Sequence, residues 1–278
     1  MRQLILGGAQ FGDSYGKFIQ VTKLPLEDLE VFLQYAFESG IHQIDLALNY
    51  VNADKNLANT RIAKSFSYST KFSYQKGKEV EIINSLLSQR ALIGIELFSI
   101  IFIHNWFELS NQDQKAAMSL LEDLVKMHLT SEVGVSVYDV HEIENIESGI
   151  NVIQAPLSFI NRQFLSSEKA KELSSGGVKF QARSIFHQGL LLNPSQEIKN
   201  RFPEIESFFE YCATNNLSFL QAALNVFDNQ NLFSSLLIGT MDIHQLQEIV
   251  DAPILASNIL EVASYLIFST DFSDPRRW

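Results

Sequence analysis

Short apolar, β-branched runs alternate with longer amphipathic stretches along the whole of this 278-residue chain, and that alternation limits the folds open to it. Eight runs of the first kind stand at residues 4–10, 41–47, 66–72, 97–104, 132–137, 152–158, 178–186 and 233–239. Helix-like segments follow them at 25–39, 53–64, 79–92, 112–128, 140–148, 166–174, 204–215, 219–227 and 242–250, and 254–267 reads as an extra C-terminal helix. Segment 25–39 carries the full set of helix signals: Pro25 in the first turn, the early acids Glu27 and Asp28, helical spacing of apolar residues, and Gly40 as a stop. The runs are apolar on consecutive positions, as in Ser99-Ile100-Ile101-Phe102-Ile103, which suits strands buried on both faces. Strand then helix, repeated eight times, is what a closed parallel barrel requires. The fold expected is therefore α/β, a (β/α)8 barrel of the TIM type. No Pro/Gly/Ser-rich linker divides the chain, so residues 1–278 read as one barrel domain. The alternative is an open doubly wound sheet. That fold would carry a Gly-rich phosphate loop running straight into a helix after its first strand, and Leu6-Gly7-Gly8-Ala9-Gln10-Phe11-Gly12 has the glycines without a good helix start behind them.

Composition removes several classes of function. Hydrophobic residues make up 46% and charged residues 19%, enough to bury a large core and too apolar for a disordered chain. A formal net charge of −11 opposes bulk attraction to nucleic acid or to anionic membranes. No apolar run reaches the roughly 18 residues of a membrane span, and the first residues have no signal-peptide layout. Cys212 is the one cysteine, so no internal disulfide can form. These features predict a cytoplasmic protein that acts on a small molecule, with no metal site. They leave its oligomeric state open.

In a barrel of this kind, reactive groups gather where strands end, at the C-terminal face. Asp45 lies near the end of the second run, Lys71 near the end of the third and His104 at the end of the fourth, with Tyr50 just past the second. Each alone has an ordinary explanation as a turn former, a solvated cation, a satisfied imidazole or a rim aromatic. Four on adjacent strands point to chemistry. Free tyrosine has a pKa of about 10 and is a poor acid at neutral pH, but a nearby ammonium favours its phenolate. Lys71 can supply that charge, Asp45 can hold Lys71, and His104 can orient a carbonyl oxygen by a hydrogen bond. Tyr50 would then protonate a carbonyl as it is reduced. The hydride must come from a cofactor, because no side chain can give one.

Several segments resemble the aldo-keto reductase family. They are Leu6–Gly12, Ile44-Asp45-Leu46-Ala47-Leu48-Asn49-Tyr50, Ser69-Thr70-Lys71 and Phe102-Ile103-His104-Asn105. Further on come Gly134-Val135-Ser136, Val152-Ile153-Gln154-Ala155-Pro156, Ala182-Arg183-Ser184-Ile185-Phe186-His187-Gln188-Gly189 and Leu237-Ile238-Gly239. The resemblance runs in family order over nearly the whole chain and is closest to the short bacterial-type members. It implies NADP(H) or NAD(H) as cofactor and a small carbonyl compound as substrate, in some relatives derived from a sugar. It places the catalytic residues at Asp45, Tyr50, Lys71 and His104. It also implies that Ser136 and Gln154 contact the nicotinamide. Arg183 stands where the family often has a stacking aromatic. Ser184 and Phe186 would face the pyrophosphate, and Gly239, Thr240 and Met241 would open a phosphate-binding helix.

The sequence departs from the family pattern at other places too. Val137 stands where an Asn is often found beside Ser136, Val51 replaces the glycine usual after the catalytic tyrosine, and residues 240–248 lack the Lys or Arg that often grips the 2′-phosphate of NADP. Two other readings stay open: a lyase forming a Schiff base on Lys71, and a slow cofactor-binding regulatory protein on the same fold.

Overall fold

A computed structural model describes residues 2–12, 24–146, 148–192, 195–255, 260, 268 and 273–274. The strands are β1 (Leu4–Gly7), β2 (Gln43–Asp45), β3 (Ser67–Phe72), β4 (Phe98–Ile103), β5 (Thr130–Ser136), β6 (Val152–Pro156), β7 (Lys179–Arg183) and β8 (Phe233–Ile238). They pair in parallel in chain order, and β8 closes on β1 with Leu4 opposite Leu236 and Leu6 opposite Ile238. This is the expected (β/α)8 barrel. The helices that carry the chain back are α1 (Leu26–Glu38), α2 (Ala53–Ala58), α3 (Glu79–Ile93), α4 (Asn111–Lys126), α5 (Gln163–Ser166), α6 (Glu168–Ser175), α7 (Gln196–Arg201), α8 (Glu206–Thr214), α9 (Phe219–Asp228) and α10 (Ile243–Asp251). Among the described residues no helix is long and apolar enough to cross a membrane.

Strand β3 shows how the alternation of side chains positions the site. Tyr68 and Thr70 point outward: the Tyr68 hydroxyl donates to the Ala63 carbonyl at 2.8 Å, and the Thr70 hydroxyl donates to the Gln89 side chain of α3 at 2.7 Å. Ser69 and Lys71 therefore point into the barrel. The helices obey the complementary rule. In α4, Ser110 caps the first turn by accepting from the Asp113 amide, and Ala117, Leu120, Leu121 and Leu124 form the buried stripe.

One large apolar cluster fills the space between sheet and helices. A separate small one, Ile100, Phe102 and Val152, plugs the inside of the barrel. Gly134 on β5 is what admits the Phe102 ring, since a Cβ there would stand 2.5 Å from it.

Several expected boundaries shift. Run 4–10 ends as a strand at Gly7, and Gly8–Phe11 turn at once into a 3-10 helix. Run 178–186 ends at Arg183, because Ser184 takes a left-handed φ of 62° that no strand can continue. The helix expected at 140–148 is only a 3-10 turn over Val140–Ile143. There the Asp139 and Glu142 carboxylates take the amides of His141 and Tyr138, so the local hydrogen bonds favour a turn. Its apolar Ile143 and Ile146 are buried from a loop laid on the core. Helices α5 and α7 were not expected. Most of the segment 254–267 lies outside the described residues.

Candidate active site

Strands β2 and β3 bring Asp45 and Lys71 together inside the mouth, where each is 2% exposed. Their side chains form an ion pair. Lys71 also donates to the Leu46 carbonyl at 3.1 Å, and the Ser69 hydroxyl donates to Asp45 at 2.8 Å. His104 follows β4 directly, and its backbone amide extends the β3–β4 ladder by donating to the Phe72 carbonyl at 2.7 Å. Tyr50 sits in the turn after β2, with its amide on the Ala47 carbonyl at 3.1 Å. That turn is held by close packing against the 3-10 segment after β1. A Cβ on Gly12 would come within 2.7 Å of the Val51 carbonyl, and the Asn56 side chain donates to the Phe11 carbonyl at 2.7 Å. The Lys71 ammonium lies 5.7 Å from the centre of the Tyr50 ring. The rings of Tyr50 and His104 meet edge to face with centres 6.4 Å apart.

Burial dominates the electrostatics here. It pulls the Lys71 pKa down, with Asp45 opposing and Arg183 adding to the fall. It pushes the His104 pKa to about 3, with help from the charges on Lys71 and Arg183. The imidazole is therefore neutral near pH 7 and can donate from one nitrogen while accepting at the other.

The opposite side of the mouth is built from β5 to β8. Ser136 ends β5, Gln154 lies within β6, Arg183 ends β7, and Ser184 and Phe186 follow it. Gly239, Thr240 and Met241 link β8 to α10. The structure brings all twelve residues singled out in the sequence to the lining of one cleft of about 1760 Å³.

Three polar atoms on this side, Gln154 Oε1, Arg183 Nε and Gln188 Oε1, are buried with no hydrogen-bond partner. The Arg183 guanidinium stacks 4.0 Å from the centre of the Tyr138 ring and donates through Nη2 to the Val137 carbonyl at 2.7 Å. Ser184, His187 and Gln188 all take left-handed φ values, of 62°, 50° and 55°. Backbone strain of this kind concentrates at functional loops. At α10 the Asp242 carboxylate accepts from the amides of His244 and Gln245 at 2.7 and 3.1 Å. It thus occupies the helix N-terminus that a phosphate would otherwise use.

Tyr138 and Gln188 also line the cleft and carried no sequence signal of their own. Trp106, two residues past His104, is buried and does not line the cleft; its indole nitrogen donates to the Glu142 carbonyl at 2.9 Å. Burial raises the pKa of the Cys212 thiol to about 12, which leaves it protonated and inert near neutral pH. Among the described residues no group of His, Cys, Asp and Glu could hold a metal ion.

The sequence profile of the Aldo/keto reductase family matches residues 3–259. The chain belongs to the aldo/keto reductase family. Membership places it among oxidoreductases. Solved structures share its fold at low identity. PA4992 of Pseudomonas aeruginosa, assigned to the aldo-keto reductases, superposes with a TM-score of 0.67 at 15% identity, over 91% of this chain and 89% of that one. MGS-M4, an aldo-keto reductase enzyme from a Medee basin deep-sea metagenome library, gives 0.66 at 14% identity, over 96% and 92%. No curated protein sequence matches this aldo/keto reductase.

Proposed function

We propose that this aldo/keto reductase reduces the carbonyl of a small aldehyde or ketone with NAD(P)H, and that Tyr50 gives the proton to the carbonyl oxygen. The observation that carries this reading is the position of the Tyr50 ring, whose centre lies 5.7 Å from the Lys71 ammonium and 6.4 Å from the centre of the His104 ring. Lys71 favours the phenolate left after the proton is given, and Asp45 fixes Lys71 in place. Neutral His104 donates a hydrogen bond to the carbonyl oxygen and aligns it with Tyr50.

A dinucleotide suits the residues present. The cleft exceeds the roughly 300–1,000 Å³ of an ordinary small-ligand pocket. The orphaned Gln154 Oε1 can accept from a carboxamide N–H. Gln154 and Ser136 would hold the nicotinamide amide. Arg183, Ser184 and Phe186 would line its ring and the pyrophosphate, and Gly239, Thr240 and Met241 would border the adenosine end. A reduced nicotinamide, when bound, supplies the hydride.

A Schiff base on Lys71 is disfavoured, because its ammonium is buried and committed to Asp45 and Leu46. The reading is tested by following the absorbance of each reduced cofactor with a panel of aldehydes and ketones. Carbonyl-dependent oxidation supports it. Binding of a dinucleotide without turnover of any carbonyl would favour a regulatory role instead.

A further inference from the structure

The inside of the barrel holds a polar side chain that the proposed reaction does not use. Gln181 of β7 stands directly opposite Gln154 of β6 in the ladder and is 5% exposed. Interior positions of such a barrel are mostly filled by branched apolar residues, and a buried amide is costly unless it is hydrogen-bonded. Gln181 does not line the cleft. Its bond runs instead to Gln154, which is fully buried. The Gln154 Nε2 donates across the barrel to Asp45 Oδ1 on β2 and sideways to Gln181 Oε1, at 3.4 Å each. Both hydrogens of that nitrogen are thus committed, and Gln154 Oε1 is left buried with no partner.

Chemistry dictates which way this amide faces. Asp45 is ion-paired with Lys71, and a carboxylate only accepts, so the Gln154 nitrogen has to face it. One bond alone leaves the amide free to swing, because the terminal torsion of a glutamine is broad. The second bond, to Gln181, fixes the amide plane and with it the direction of Oε1. Resting on the dinucleotide reading above, we propose that Gln181 is a positioning residue. It holds the Gln154 amide so that an acceptor, not a donor, meets the nicotinamide, and it thereby makes the site select a ring that carries a carboxamide N–H. Gln181 itself touches neither cofactor nor substrate; its effect runs through Gln154.

The test is one of binding, by calorimetric titration. It compares NADH or NADPH, whichever the protein binds more tightly, with its reduced 3-acetylpyridine analogue, whose methyl ketone has no N–H to give. ADP-ribose, which has no nicotinamide, is the control. Wild type should favour the carboxamide by roughly fivefold or more, because the analogue leaves the buried Gln154 acceptor unmet. Gln181→Met keeps the length of the side chain and removes the acceptor oxygen. It should bring that preference below about twofold and leave the affinity for ADP-ribose as in wild type. Gln181→Glu, which keeps an oxygen of the same reach, should retain the preference.

A merely structural role gives a different pattern: cofactor, analogue and ADP-ribose all weaken together in Gln181→Met, and the preference survives. That outcome overturns the proposal, and so does a wild type that binds cofactor and analogue equally. If Gln181→Met does not fold, Gln181→Asn takes its place, since it is one methylene short of the bond. A preference as strong there as in wild type overturns the proposal. These results leave the dinucleotide reading standing. A wild type that binds neither reduced cofactor nor ADP-ribose removes that reading, and the role of Gln181 falls with it.

Discussion

Asp45 and Lys71, on one side of the barrel mouth, satisfy each other and draw further hydrogen bonds from Ser69 and to Leu46, whereas Gln154, Arg183 and Gln188, on the other, each keep a buried polar atom without a partner. The first side has strand-end geometry and an interlocked network. The second has a loop with three left-handed residues and donors and acceptors aimed at a cleft. A buried polar atom left without a partner costs free energy, so the second side is the one with groups to offer a ligand. The first needs no ligand to hold its arrangement. In the proposed reading, chemistry falls to the preorganised side and binding to the side with unmet valences.

That contrast can be broken most sharply at Tyr50. Tyr50→Phe keeps the ring and removes only the acid. Turnover should fall roughly 100-fold to 10,000-fold while the dissociation constant of the reduced cofactor stays the same. Near-wild-type turnover would remove Tyr50 from the chemistry.

Next comes Lys71→Met, which strands the Asp45 carboxylate in the barrel. The loss should be about 3–5 kcal/mol, measured by urea unfolding, together with loss of reduction. The double variant Asp45→Asn/Lys71→Met should recover much of the stability and none of the activity. A single variant as stable as wild type would show that the pair is not the interlocked unit described here.

His104 gives a smaller effect, read through pH. Its folded-state pKa lies below the value of 6.5 expected for an unperturbed histidine, so the unfolded chain binds the proton more readily. The stability it contributes is present above pH 6.5 and is lost as the pH falls towards 3. Between pH 6.5 and pH 5 the loss should be about 2 kcal/mol, and His104→Gln should flatten that part of the curve. An equal slope in both proteins would contradict the assigned burial.

Gln154→Leu probes the opposite side. It removes an orphaned acceptor together with the Nε2 donor that bonds Asp45 and Gln181 at 3.4 Å each, so stability should fall by about 1–2 kcal/mol, while the dissociation constant for the reduced cofactor rises roughly tenfold. Large destabilisation with unchanged affinity would reverse the division drawn between the two sides.

The smallest effect concerns the adenosine end. Residues 240–248 carry no Lys or Arg, and the Asp242 carboxylate already occupies the α10 N-terminus. NADPH and NADH should therefore bind within about tenfold of each other, or roughly 1.4 kcal/mol. Fluorescence titration at fixed ionic strength measures this, and a hundredfold preference for NADPH would refute it.

The two sides also differed in how far the sequence revealed them. Strand β4 was readable because a strand buried on both faces is apolar at successive positions, and His104 was readable because it stops that run. Asp45 and Lys71 announced themselves the same way, at the ends of neighbouring runs. The loop after β7 gave no such signal. Its left-handed Ser184 and Gln188 are set by tertiary packing, not by residue preference, and the expected strand ran three residues too far. Helices α5 and α7 have four and six residues, too few for a helical period to show. The stack of Arg183 on Tyr138 joins residues 45 positions apart and could be seen only in three dimensions.

The plug of Ile100, Phe102 and Val152 has a bearing on how the protein is supplied from outside. Those three side chains are buried beside the site, with the Phe102 ring 5.8 Å from the Lys71 ammonium, and Gly134 leaves the room for the largest of them. In the proposed reaction each turnover consumes one proton from solvent. An apolar plug offers no proton relay, so the mouth is the route this reading leaves to that proton as well as to the substrate. Exchange of reactants and the refilling of the acid would then share one entrance, and a turnover rate slowed by viscous solvent would be slowed in both together.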